Sequence, residues 1–168
     1  MMKPSLFELI DIKHGKLFIM PRPSTEYLIE DLRHYKNVGI DVVISLLEKA
    51  EAYDLGLSKE AEQTEAIGLS FFQFPIKDRS IPTQKMVRDI MTLTIPLLES
   101  GKNIAIHCRA GIGRSGLIAC CILMYNGYRS DDAMSLVSSA RGIPIPDTSE
   151  QIDFIYDFEY LLRLTNKP

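Results

Sequence analysis

The stretch from Asn103 to Tyr125 constrains this chain more than any other. Asn103 to His107 is a short apolar run of strand character. It opens into Cys108-Arg109-Ala110-Gly111-Ile112-Gly113-Arg114-Ser115, and a helix then follows that is apolar almost throughout from Gly116 to Tyr125. A helix without a polar face must lie at the centre of its domain. A buried strand feeding directly into a buried helix is the inner part of a layered α/β architecture.

The rest of the chain fits that frame. Lys16 to Met20, Ile40 to Leu47 and Phe71 to Ile76 are further apolar or β-branched runs and read as strands. Between them fall stretches of helical spacing. The first has Tyr27, Leu28, Leu32 and Tyr35 as its buried face, Ser24 or Thr25 as its N-cap and Gly39 as its stop. Ser58 to Ile67 is polar and acidic, the pattern of a short surface helix. Met86, Ile90, Leu93 and Leu97 mark a helix begun near Pro82 and bent by Pro96. Ser130 to Ala140 reads as another. The last helix starts at Asp147, where Asp-Thr-Ser-Glu has the form of a capping box with Glu150 reaching back.

The expectation is an α/β fold with a central, largely parallel twisted sheet of four to five strands and helices on both faces. In such sheets ligands bind beyond the carboxyl ends of the strands. With 168 residues, 46% of them hydrophobic, no repeat and no linker-like tract, the chain is expected to form a single domain over 1–168.

A net charge of −3 without basic blocks gives no electrostatic reason to expect nucleic acid or a membrane surface as partner. No apolar run approaches the length of a membrane span. Three cysteines, two of them adjacent at Cys120 and Cys121 in an apolar stretch, make no disulfide framework and suit a reducing, cytoplasmic setting. His14 and His34 lack metal-ligand spacing, so no metal or other cofactor is expected.

The loop after His107 is built for an anion. The helix that follows offers orphan N–H groups and the positive end of its dipole. Gly111 and Gly113 let the chain turn back so that successive N–H groups converge on one tetrahedral group. Arg114 adds a planar fork for two of its oxygens. The same field lowers the pKa of the Cys108 thiol, and a thiolate facing a bound phosphoryl group can attack phosphorus in line.

The string His-Cys-x5-Arg-Ser resembles the active-site loop of the cysteine-based protein tyrosine phosphatases, and the whole chain is similar to a small dual-specificity member. The resemblance covers roughly residues 16–160. It implies a phosphomonoesterase that works through a phosphocysteine intermediate. Cys108 would be the nucleophile, Arg114 the phosphate and transition-state clamp, and Arg109, Ala110, Gly111, Ile112 and Gly113 the N–H donors to the phosphate. Ser115 would donate a hydrogen bond to the sulfur and help it leave. His107 would brace the loop through hydrogen bonds and support the thiolate.

The leaving oxygen needs a proton donor. Asp78 is the candidate, in the turn Pro75-Ile76-Lys77-Asp78-Arg79-Ser80-Ile81-Pro82, which resembles the proline-framed acid loop of such enzymes about thirty residues before the nucleophile. Asp41, at a strand's start, Asp147, as a cap, and Asp54, in a segment of no clear geometry, fit less well. Gln151 is a candidate for orienting the hydrolytic water, with a solvent-facing helix position as its alternative. Arg109, Arg141 and Arg22 fall near the rim.

The expected substrate is a phosphorylated protein or peptide, with phosphate, sulfate or vanadate as ligands of the loop. Two alternatives stay open on sequence alone: the same chemistry on a phosphoinositide, nucleotide or RNA phosphate, and a non-catalytic phosphate-binding module. Ala110 and Ile112 stand where loops resembling the inositide enzymes often carry Lys.

Overall fold

A computed structural model describes residues 2–165. Strands β1 (Phe7–Ile12), β2 (Gly15–Met20), β3 (Val42–Ser45), β4 (Ser70–Gln73) and β5 (Ile104–His107) form one sheet in the order β1-β2-β5-β3-β4. The four inner and distal strands are parallel, and β1 adds an antiparallel edge to β2. β1 escapes the sequence pattern because Glu8 and Asp11 interrupt its apolar residues.

Side chains alternate across the strands, so each face carries its own core. Leu17, Ile19, Val42, Ile44, Ile104 and Ile106 face α4 (Gln84–Glu99), α5 (Gly113–Tyr125), α6 (Ser130–Arg141) and α7 (Ser149–Thr165). Phe18, Met20, Val43 and Ala105 face α1 (Leu28–Asn37) and α3 (Glu60–Ile67). Between β3 and α3 lies the short α2 (Lys49–Asp54). The sheet is thus covered on both sides, as the apolar strands require. Every residue of α5 from Arg114 to Met124 is buried.

Several local expectations are corrected. Ser24 does not cap α1. Its hydroxyl accepts from the Tyr27 N–H in the preceding turn, and Asp31 accepts from the Ser24 N–H, so α1 begins later, at Leu28. Nor does Thr25, whose hydroxyl donates to the Leu55 carbonyl instead. Tyr27 is exposed, while Leu28, Leu32 and Tyr35 are buried as the spacing predicts. Asp54 ends α2, a helix the sequence did not signal. Helix α4 starts two residues after Pro82, where Thr83 accepts from the Met86 N–H.

Candidate active site

The carboxyl ends of β2, β3, β4 and β5 all open on one edge of the sheet, and there a cavity of about 170 Å³ is lined by Asp78, Arg79, Cys108, Arg109, Ala110, Ile112, Gly113, Arg114, Asp147 and Gln151. Cys108 lies at its base, 3% exposed. The loop around it is held from outside. Arg109 O accepts from the Arg22 N–H, Ala110 O from Arg141 Nη2 and Gly111 O from Arg141 Nε. In a planar trans peptide the next N–H points opposite to the carbonyl. Pulling these three carbonyls outward therefore turns the N–H groups of Ala110, Gly111 and Ile112 toward the cavity. Arg141 is itself steadied by the Phe7 ring, 4.3 Å from the guanidinium carbon to the centroid, so the edge strand β1 contributes to the loop.

Gly111 has φ +71, and a Cβ there would approach the Met20 backbone to 2.5 Å. No other residue fits that turn. At Gly113 a Cβ would come within 2.9 Å of Gln151 Oε1.

The Cys108 thiol is held below its ordinary value. Burial opposes its ionisation, but donation from the Ser115 side chain and N–H, the Arg114 charge and the Ile112 N–H outweigh that cost. Ser115 is fully buried, and its hydroxyl has no nitrogen or oxygen partner. The adjacent Cys108 sulfur is what remains for it to address. Cys120 and Cys121 behave oppositely: burial pushes the first up to about 12 and the second well above its usual value. They are core residues.

Arg114 is 2% exposed and fully committed at its two terminal nitrogens. Nη1 donates to Glu51 Oε1 at 2.8 Å and to the Ile76 carbonyl at 2.9 Å, and Nη2 to Glu51 Oε2 at 2.9 Å and Asp78 Oδ1 at 3.0 Å. Those four bonds use all four Nη hydrogens, leaving Nε–H. Burial opposes ionisation of Glu51, yet the hydrogen bonds and charge of Arg114 hold its carboxyl below the usual range. Glu51 also accepts from the Glu48 N–H, tying α2 to the same guanidinium.

Asp78 reaches the cavity from the loop after β4, with its side chain half exposed. That loop is fastened to the start of α7. Arg79, at φ +60, pairs with Asp147 at 2.6 Å, and Gln151 Nε2 donates to the Ser80 carbonyl at 3.1 Å. The expected cap of α7 is displaced by one residue. Thr148 Oγ1 accepts from the Gln151 N–H, and Gln151 Oε1 accepts from the N–H groups of Asp147 and Thr148. The reciprocal pair is Thr148 with Gln151, not Asp147 with Glu150. Gln151 is fully buried, which overturns the solvent-facing alternative, and its carbonyl oxygen is already occupied by the cap.

His107 lies behind the loop, fully buried, with Nδ1 3.0 Å from the Cys108 carbonyl and Nε2 2.6 Å from Glu60 Oε1. Two acidic residues around the site, Glu51 and Glu60, were therefore missed in the sequence. Their helices pack against it from 63 and 47 residues away in the chain, and no local pattern marks them. Beyond Arg109 a second cavity of about 840 Å³ opens between the N-terminal segment and α1, with Lys3, Arg22 and Asp31 in its wall. Among the described residues no group of His, Cys, Asp and Glu could hold a metal ion, and no helix is long and apolar enough to cross a membrane.

Residues 20–128, carrying the loop and the three strands β3, β4 and β5, match the family described as "Polymorphic toxin system, DSP-PTPase phosphatase". The chain belongs to the DSP-PTPase phosphatases. This phosphatase is 31% identical over 162 residues to protein tyrosine phosphatase domain-containing protein 1 of Bos taurus, covering 89% of the chain but 20% of that protein. It therefore spans about a fifth of that relative's length. It is 26% identical to protein tyrosine phosphatase type IVA 3 of Mus musculus, covering 94% of the chain and 87% of the relative. Among solved structures, kinase associated phosphatase with its catalytic-site cysteine changed to serine superposes with a TM-score of 0.87 over 99% of both chains, at 19% identity. Tk-PTP in its active form gives 0.76 at 26% identity, covering 95% of this phosphatase and 99% of that chain.

Proposed function

We propose that this phosphatase hydrolyses phosphorylated side chains of proteins, phosphotyrosine first, through a covalent intermediate on Cys108. The carrying observation is a thiol held below its ordinary pKa at the base of a cavity that Arg114 and inward-turned amides surround. The thiolate attacks phosphorus in line, an S–P bond forms and the ester P–O bond breaks. Asp78, protonated, delivers its proton to the departing oxygen. A water then attacks phosphorus, its proton passes to the Asp78 carboxylate, the S–P bond breaks and inorganic phosphate leaves. Ser115 stabilises the sulfur as it departs.

Arg114 and Asp78 act in sequence. A bidentate grip on phosphate needs a second guanidinium N–H beside Nε–H, and the Nη2 hydrogen now on Asp78 is the one that can be released. Binding of the phosphoryl group thus moves Asp78 off the clamp and toward the ester oxygen. Gln151, through the N–H of Nε2 left beside its bond to Ser80, is the residue of α7 that can hold the hydrolytic water. We assign the phosphatase domain to the whole chain, 1–168, as the two cores pack on opposite faces of a single sheet.

Hydrolysis of p-nitrophenyl phosphate and of a phosphotyrosyl peptide by wild type and Cys108→Ser tests this reading. Wild type turns over both, and rapid-quench mass spectrometry finds one phosphoryl group added at Cys108. Cys108→Ser loses turnover to background. Turnover surviving in Cys108→Ser refutes the nucleophile, and inositol phosphates turned over faster than the phosphopeptide refute the substrate class.

A further inference from the structure

Helix α3 is built against the rules for a surface helix. Of its eight residues only Glu60 and Thr64, one turn apart on the same face, are fully buried, and both are polar. Its apolar residues Ala61, Ala66 and Ile67 stay partly or wholly exposed. A buried carboxylate adds little to stability and is often outperformed by an apolar side chain of similar volume. What α3 gains instead is the contact of Glu60 with His107 at 2.6 Å, both side chains at or below 3% exposure.

The proton count of that pair follows from its partners. Nδ1 of His107 faces the Cys108 carbonyl, which can only accept, so Nδ1 carries a hydrogen. Nε2 faces a carboxylate oxygen, so one more proton lies between ring and carboxyl. Glu60 is the first residue of α3, so its side chain lies at the positive end of the helix dipole. The arrangement that results is an imidazolium donating to Glu60 on one side and to the Cys108 backbone on the other. Its positive pole lies on the side of the thiolate.

We propose that Glu60 is a positioning residue of the phosphatase reaction: it holds a second proton on His107 and thereby keeps a positive charge directly behind Cys108. This rests on Cys108 being the nucleophile, as proposed above. Burial alone disfavours a charged His107, but the charge and hydrogen bond of Glu60 lead the contributions that raise it, followed by the Cys108 carbonyl and sulfur. The other charged or titratable groups around the pair are Arg114 on α5, beside the sulfur, and Tyr35 and Asp31 on α1. Tyr35 is pushed far up by its own burial, then by Asp31 and Glu60, and stays neutral. Asp31 is bound to the Ser24 N–H at the far side of α1. None of these replaces Glu60 as the partner of Nε2.

The test reads thiol ionisation rather than turnover, so it remains informative even if the catalytic scheme fails. Inactivation of Cys108 by iodoacetamide is followed against pH in wild type, Glu60→Gln and Glu60→Asp. Glutamine keeps the shape and removes the charge, so the ring reverts to neutral and the thiolate loses its support. The inactivation profile moves to higher pH, with reactivity at the acid end falling about tenfold. Glu60→Asp recovers part of the shift. Should Glu60→Gln not fold, nitrogen-15 NMR of His107 in wild type decides the matter, since both ring nitrogens are protonated at neutral pH. A Glu60→Gln profile superimposed on wild type, or a wild-type His107 with one bare nitrogen, overturns the proposal.

Discussion

The two walls of the cavity are made in different ways. One wall is the loop from Cys108 to Arg114 with α5 behind it, where Cys108, Arg114 and Ser115 are all at or below 3% exposure and the main chain is braced by Arg22 and Arg141. The other is the turn that carries Asp78, where the side chains of Asp78, Arg79 and Asp147 are 51%, 65% and 41% exposed. Its links to the rest of the site are side-chain contacts to Arg114, Asp147 and Gln151. The buried wall offers charge stabilisation that needs no rearrangement during reaction. In the proposed reaction the exposed wall supplies a proton that must arrive and leave, and a segment held by few buried contacts is suited to that. Phosphate grip and proton delivery are therefore separable, and substitutions in the two walls should fail differently.

The sharpest break is Arg114→Lys. An ammonium cannot donate to both oxygens of Glu51 and also fork onto phosphate. Loss of one preorganised clamp of this kind typically costs about 10²–10³ in rate. We expect a fall in kcat/KM of about 10³-fold, equal for p-nitrophenyl and phenyl phosphate, because the buried wall acts on phosphorus whatever the leaving group. A loss confined to one ester would erase the distinction between the walls.

Asp78→Asn should fall next. A positioned general acid is worth roughly 10²–10⁴-fold. The loss should lie near the lower end of that range, about 10²-fold, for phenyl phosphate, whose leaving oxygen needs a proton. It should shrink to about tenfold or less for p-nitrophenyl phosphate, whose leaving group departs as an anion. Equal losses on both esters would show that Asp78 serves the clamp rather than the proton.

The buried wall was legible from eight consecutive residues because all its parts are local. Strand, loop glycines, Arg114 and helix N-terminus follow one another, and backbone geometry does the rest. The supports of that wall were not legible. Glu51 and Glu60 reach it through packing of α2 and α3, and a Glu near a helix start reads as surface in any short window. The sheet was foreseeable from its buried runs, except for β1, whose edge position tolerates Glu8 and Asp11 and so hides its pattern. The start of α7 shows a different difficulty. Asp-Thr-Ser-Glu and Thr-Ser-Glu-Gln overlap, and either could cap a helix. The choice falls to Thr148 and Gln151 because Asp147 is engaged by Arg79, a partner 68 residues away.

Within the buried wall, Ser115→Ala makes a smaller and more diagnostic change. Burial pushes the Cys108 thiol up, and the Ser115 side chain is the foremost contribution pulling it down. Removing it raises the thiol toward its ordinary value, so the thiolate fraction at low pH shrinks. The acid limb of kcat/KM should therefore move to higher pH, while the basic limb stays in place. Breakdown of the phosphocysteine should also slow, about tenfold in kcat, with a burst of phenolate before the steady state. An unmoved acid limb would mean that the Ser115 N–H and Arg114 suffice.

The smallest effect belongs to the exposed wall's outer fastening. Arg79 and Asp147 pair at 2.6 Å, but both side chains are largely in water. Exposed pairs of this kind are worth well under about 1 kcal/mol, and salt weakens them. Asp147→Asn should leave the melting temperature within about two degrees of wild type. The pair nevertheless holds Arg79 at a positive φ one residue from Asp78, so its loss widens the positions open to the acid. We expect kcat on phenyl phosphate to fall about threefold at low salt, and the gap between variant and wild type to close as ionic strength rises. Charge exchange, Arg79→Asp with Asp147→Arg, should restore part of the loss if the pair acts on the loop as a fastening. A loss of the same size on p-nitrophenyl phosphate would place Asp147 with the phosphate grip instead, and the division between the walls would then run through α7 rather than along the turn.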